Sequence, residues 1–157
     1  MVEPKAPRVS EMSLVMQPPD ANANGFVHGG SIMKLVDTIA GVAAIRHAQS
    51  RVVTAQVDSL SFLAPVHIGD VVTFEAVVTQ AWHTSMEVKV VVHREDAFRG
   101  ERTLTTTAYL TMVAVDLDGH PVEIPALEPS TDRERVRQAG AEVRREERIR
   151  LRERLGT

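Results

Sequence analysis

The sequence predicts an α+β fold, a long central helix wrapped by a curved antiparallel sheet. Three observations carry this. The segment Ser31 to His47 has apolar or small residues on nearly every side of a helical period. Four later segments alternate apolar and polar residues with period two, as half-buried strands do. Short turn sequences connect these segments, so the four are expected to form one antiparallel meander. A length of 157 residues suits one domain with a tail, and 43% apolar with 25% charged residues is ordinary globular composition.

Taken in order, Met12 to Met16 is a short first strand before Pro18-Pro19. Asp20-Ala-Asn-Ala-Asn24-Gly25 is rich in turn formers. Gly29-Gly30 then opens the helix, with Ser31 expected as its N-cap. Ile32, Leu35, Val36, Ile39, Val42 and Ile45 point in most directions, so the helix is expected to be buried on most faces. The strands are Val52 to Phe62, Val71 to Ala81, Met86 to His93 and Leu104 to Val115. In the last, Leu104, Thr106, Ala108, Leu110 and Met112 form one row and Thr105, Thr107, Tyr109 and Thr111 the other. Turns fall at His67 to Asp70, Ala97 to Gly100 and Asp116 to Gly119.

Charge and proline mark a boundary after this body. From Ser130 to Thr157 there are nine Arg against six Asp or Glu, a net of +3, so the rest carries −6 of the total −3. Pro121, Pro125 and Pro129 lead into it. The domain reading is an N-terminal extension over 1–10, the folded body over 11–127 and a charged, helical tail over 128–157. Thr131-Asp-Arg-Glu134 fits a capping box, and Glu146 and Arg150 are one turn apart. The tail's apolar residues keep no steady heptad, which predicts a solvated, partly frayed and dispensable helix, the alternative being a docking or RNA-binding arm.

Composition excludes several functions. Cysteine is absent, so there is no disulfide, thiolate metal site or cysteine nucleophile. One Trp, one Tyr and four Phe, with a net charge of −3, argue against a nucleic-acid partner. Ile39 to Ile45 is the longest apolar run, too short to span a membrane, and the first residues show no signal-peptide core. A cytoplasmic location is the expectation. The six His residues lack metal-ligand spacing, and no Gly-x-Ser-x-Gly elbow is present.

Asp37 is the most informative residue, a carboxylate inside an otherwise apolar helix. Either it faces solvent and pairs with Lys34, or it serves a cleft beside Gly41 as base or nucleophile. Asn22 and Asn24 are turn formers or amides that orient a carbonyl or a water. The helix start at Gly29 and Gly30 offers N–H groups to a developing oxyanion.

The string Asn22-Ala-Asn-Gly-Phe-Val-His-Gly-Gly-Ser-Ile-Met-Lys-Leu-Val-Asp37 resembles the acyl-CoA thioesterase branch of the hotdog-fold superfamily, especially its bacterial broad-range and brain-type acyl-CoA hydrolases. The resemblance continues through Val52-Val-Thr54, Phe62-Leu-Ala-Pro65-Val-His-Ile-Gly-Asp70, Thr84-Ser-Met86, Gly100-Glu-Arg102 and Val113-Ala-Val-Asp116. It implies the hotdog fold and hydrolysis of fatty acyl-CoA to free acid and CoA. CoA is then part of substrate and product, and no separate cofactor or metal is implied. It also implies homodimers whose sheets join, assembled as trimers of dimers. Asn22 from one protomer and Asp37 from the other are the implied catalytic pair, with Gly29 and Gly30 positioning the thioester. Thr84, Ser85, Arg94 and Arg102 are candidate CoA contacts or simple surface groups. The alternatives are a non-enzymatic acyl-CoA-binding hotdog protein and a hotdog hydratase or dehydratase using His28.

Overall fold

The computed structural model describes residues 3–156. The elements are β1 (Val9–Val15), a 3-10 turn (Pro18–Asp20), α1 (Gly29–Ala48), β2 (Arg51–Phe62), β3 (Val71–Ala81), β4 (Ser85–Glu95), β5 (Arg102–Val115) and α2 (Asp132–Leu155). The strands form one sheet in the order β1-β3-β4-β5-β2, antiparallel throughout. This is the hotdog arrangement of the resemblance. The four later strands do not form one meander: β3, β4 and β5 do, whereas the chain crosses the sheet as α1 and lays down β2 at the far edge beside β5, so β2 has a partner on one side only.

Period-two alternation puts the apolar rows of β3, β4 and β5 on the face that meets α1. Phe74, Val90 and Leu110 are buried there, against Ile32, Val36, Ile39, Ala40 and Ala44 of the helix. Removing those side chains from water is the main stabilising term, about 1.5–3 kcal/mol for each large one. One expectation is overturned. The helix is not buried on most faces, because a single sheet covers a single side. Met33 and Ile45 are 45% and 50% exposed, and Asp37 lies exposed on the same stripe, four residues after Met33 and eight before Ile45.

The start of α1 also differs from expectation. His28, not Ser31, is the N-cap, its Nδ1 accepting the Gly30 N–H at 2.9 Å. The imidazole Nδ1 sits where the oxygen of an Asn cap would sit, so a ring can do the work of a short polar side chain.

The tail is helical with the expected Thr131–Glu134 capping box, and Arg150 meets Glu146 at 3.5 Å. It is not solvated all round. α2 lies against the outer face of the sheet, where Arg144 makes a two-pronged pair with Glu87 at 2.7 and 2.9 Å. Arg148 reaches Asp58 at 3.0 Å, and Arg144 stacks 3.9 Å over the Tyr109 ring. These contacts are ionic and distant in sequence, so an apolar pattern in the tail could not report them. Residues near the N-terminus are tied to the segment before α2: Lys5 N–H donates to the Ala126 carbonyl and Glu128 N–H to that of Lys5, both at 2.9 Å. Among the described residues, no helix is long and apolar enough to cross a membrane.

Candidate active site

Asn22 stands in the loop between the 3-10 turn and α1 and folds that loop around itself. Its Oδ1 accepts the backbone N–H of Asn24 at 2.9 Å and of Phe26 at 3.2 Å. Its own N–H donates to the Phe26 carbonyl at 2.7 Å. With the oxygen so engaged, the amide orientation is fixed and the Nδ2 hydrogens remain to donate outward. The side chain borders a cavity of about 440 Å³, walled mostly by apolar groups such as Phe26, Ile32, Phe62 and Pro65. That volume is in the usual range for a small-molecule site.

Gly29 forms part of the same wall. A Cβ built on it would lie 3.2 Å from the Phe62 ring, so glycine lets the end of β2 close over the helix start. Among the described residues no acceptor meets the Gly29 N–H, which is available at the positive end of the helix dipole. The Gly30 N–H, the other expected donor, is held by His28.

Asp37 is not on this wall. It is eight residues beyond Gly29, about 12 Å along the helix axis. The pair with Lys34, one of the two readings of this residue, does not form, and among the described residues no cation pairs with Asp37. Its Oδ1 instead accepts the Thr54 hydroxyl of β2 at 2.6 Å. Beside it a Cβ on Gly41 would touch nothing within 4 Å, so the acid faces open space next to the unpaired edge strand. Thr54 lies inside a quoted motif, yet sequence reasoning assigns it no role. The signal was a lone hydroxyl near the start of a strand that returns alongside the acid's helix.

The four candidate CoA contacts do not converge within one protomer. Ser85 opens β4 and Arg94 nearly ends it, nine residues or about 30 Å away. Arg102 opens β5, at Arg94's end of the sheet. Neither arginine is free. Arg94 lies 3.4 Å from Asp70 and 3.3 Å from the His67 ring, while Arg102 pairs with Glu75 at 2.6 Å. The His93 ring near that pair has its pKa lowered, by burial first and by Arg102 second. Asp116, Asp118 and His120 approach one another at the turn after β5, but Asp116 already accepts two backbone N–H bonds as a turn residue.

Comparison with known proteins bears on this geometry. A family model described as the Thioesterase superfamily matches residues 24–97. The uncharacterized acyl-CoA thioester hydrolase YkhA of Bacillus subtilis is 42% identical over 117 residues, 74% of this chain and 68% of that protein. A hexameric acyl-CoA thioesterase solved without ligand superposes with a TM-score of 0.88 at 41% identity, over 91% of this chain and 92% of its own. An acyl-CoA hydrolase of Staphylococcus aureus, solved with butyryl-CoA and CoA, gives a TM-score of 0.86 at 34% identity, over 94% and 90% of the two chains. That enzyme has also been solved with an Asn, an Asp and a Thr each replaced by Ala. Those positions are 15 and 17 residues apart, the spacing of Asn22, Asp37 and Thr54 here.

Proposed function

This chain belongs to the thioesterase superfamily, and from that premise we propose that it hydrolyses fatty acyl-CoA to the free acid and CoA at sites built jointly by two protomers. The observation that carries the shared site is the separation of Asn22 from Asp37. One borders the cavity, and the other faces outward beside the β2 edge, on a helix stripe that exposes Met33 and Ile45. Val53 and Val57 of β2 are 48% and 44% exposed along the same edge. A strand with one free edge flanked by apolar surface favours closure by a second copy. A two-fold axis there would bring each Asp37 towards its partner's cavity and repeat the site twice. The hexameric relatives support assembly of such dimers into a trimer of dimers.

Asp37 acts on the thioester carbon through an activated water, or attacks it directly to give an anhydride that water then opens. Thr54 donates to the carboxylate and fixes the oxygen that accepts. Asn22 Nδ2 orients the water or the carbonyl, and the Gly29 N–H meets the oxyanion. Gly30 would add a second donor once the His28 ring turns away. The C–S bond then breaks, and CoA leaves as a thiolate, a good enough leaving group that no strong nucleophile is needed. CoA enters as part of the substrate and leaves as product, so no other cofactor takes part. In this reading the reaction is cytoplasmic and belongs to the body over 11–127, with the 1–10 extension and the 128–157 tail appended to it. Thr84 and Ser85, half-buried, remain the CoA-binding candidates whose side chains hold no carboxylate; Arg94 and Arg102 would have to exchange their carboxylates for phosphate.

The test mixes two inactive variants. Asn22→Ala and Asp37→Asn, co-expressed in equal amounts, should give about half mixed dimers, each with one intact site. Thiol release from acyl-CoA should then return to about a quarter of wild type, given independent sites. Confirmed heterodimers as inactive as their parents would place both residues in a site within one chain.

A further inference from the structure

Thr106 is the polar exception in the inner row of β5, among Ala108, Leu110 and Met112. It lies opposite Phe62 of β2 and Val92 of β4. It is 1% exposed and forms part of the wall of the cavity that Asn22 and Gly29 also border. Its hydroxyl has no hydrogen-bond partner among the described residues. Its neighbour Thr105, equally buried, donates to the Val92 carbonyl at 3.1 Å, so an orphan here is not a general property of this strand. The other buried orphan, Arg94 Nε, belongs to a guanidinium that already faces Asp70.

A buried hydroxyl without a partner is costly, and a valine of the same shape would fill the place without that cost. The other polar side chain of the wall, Asn22, has its oxygen committed to the loop. The wall is therefore apolar but for the Asn22 Nδ2 hydrogens, which the proposed reaction uses on the water or carbonyl, and one unspent hydroxyl buried in it, that of Thr106. We propose that Thr106 is a specificity-determining residue, which selects acyl chains carrying a hydroxyl or keto oxygen over plain alkyl chains of the same length. This rests on the acyl-CoA hydrolase reading. A plain chain would fill the cavity and leave the hydroxyl unmatched, whereas an oxygenated chain exchanges a hydrogen bond with it. A pocket equipped to hydrogen-bond a substrate oxygen discriminates against the analogue that lacks it.

The test compares hexanoyl-CoA with 3-hydroxyhexanoyl-CoA in wild type, Thr106→Val and Thr106→Ser, measuring kcat/KM by thiol release and folding by thermal melting. In Thr106→Val the ratio of kcat/KM, hydroxylated over plain, should fall about fivefold, the worth of one neutral hydrogen bond. Thr106→Ser should restore it. An unchanged ratio overturns the proposal, and so does an equal loss on both substrates, which would assign Thr106 to packing or to the common part of the substrate. If Thr106→Val does not fold, a Thr106→Ser ratio equal to wild type supports the proposal, and a ratio lowered as far as the loss expected for Val overturns it. A wild type active on both substrates with no shift in Thr106→Val removes this inference alone; a wild type inactive on both removes the hydrolase reading as well.

Discussion

The two faces of the sheet are covered by two helices that dock by different physics. α1 buries Ile32, Val36, Ile39 and several alanines against an apolar face. α2 buries only Ala141 and is held by charge. Glu87, fully buried, takes both oxygens to Arg144 and also accepts the Thr79 hydroxyl, while Asp58 accepts Arg148 and the hydroxyl of Thr111. Glu142 accepts Gln80 and the Trp82 indole. The inner contact is strong because it removes area from water, and it tolerates sliding because that force has no direction. The outer contact gains little net energy, since desolvation offsets most of the Coulomb attraction. What it supplies is placement, for a two-pronged guanidinium pair fits one register. The functional groups follow the same division. Asp37 is on α1, and α2 carries none of the proposed catalytic residues.

That contrast can be broken first at Asp37. Asp37→Asn should reduce kcat by about 10² to 10⁴ while leaving the melting temperature near wild type. Thr54→Val should cost about 10-fold through loss of one hydrogen bond to the carboxylate. A fully active Asp37→Asn enzyme would leave α1 with no catalytic side chain.

A core truncation on the same helix should act the opposite way. Ile39→Ala should destabilise by about 2–5 kcal/mol in denaturant titration. A cost within 1 kcal/mol would mean that the inner layer is loosely packed and that the contrast between faces is weaker than the burial implies.

On the outer face, Arg144→Met leaves the Glu87 charge without its partner and should cost about 2 kcal/mol, partial exposure of the guanidinium moderating the loss. kcat on acyl-CoA should stay near wild type. The double replacement Glu87→Leu with Arg144→Met should recover most of that stability, because it removes the charge together with its partner. The same seam revises the expectation for the tail: removing residues 130–157 uncovers Glu87 and Asp58, so the truncated protein should melt lower than the full chain.

The smallest effect concerns pH. His47 closes the C-terminal end of α1, with Nε2 2.8 Å from the Pro125 carbonyl. Burial lowers its pKa below 6.5, opposed by that hydrogen bond and aided by Lys5. The unfolded chain therefore takes up the proton at higher pH than the folded one. This contribution is intact above 6.5 and is lost as pH falls through that value towards the lower folded pKa. Melting at pH 7.5 and 5.5 should show a larger drop for wild type than for His47→Gln.

Much of the fold could be read from local pattern. β3 runs over the expected residues, β2 and β5 start one and two residues early, and β4 starts one early and ends two late. The Thr131–Glu134 box and the Glu146–Arg150 pair are also where spacing puts them. The site was legible in part. Asn22, Asp37 and Gly29 stand out by residue type in context, but Thr54 acquires its hydrogen bond only when β2 folds back beside α1, 17 positions from the acid. The cap at His28 was missed because propensity favours Ser, while geometry asks only for an acceptor at the right distance.

By itself, then, the order of residues determined what repeats at short range: the strand alternation, the helical period, the turns and the lone acid. Tertiary structure alone decided which partners distant polar groups would find. Arg144 meets Glu87 across 57 positions and Arg102 meets Glu75 across 27, while the Thr106 hydroxyl finds no partner among the described residues. Apolar burial needs only the right face, which periodicity encodes. A hydrogen bond or ion pair needs one atom at one distance and angle, and the packed fold sets that.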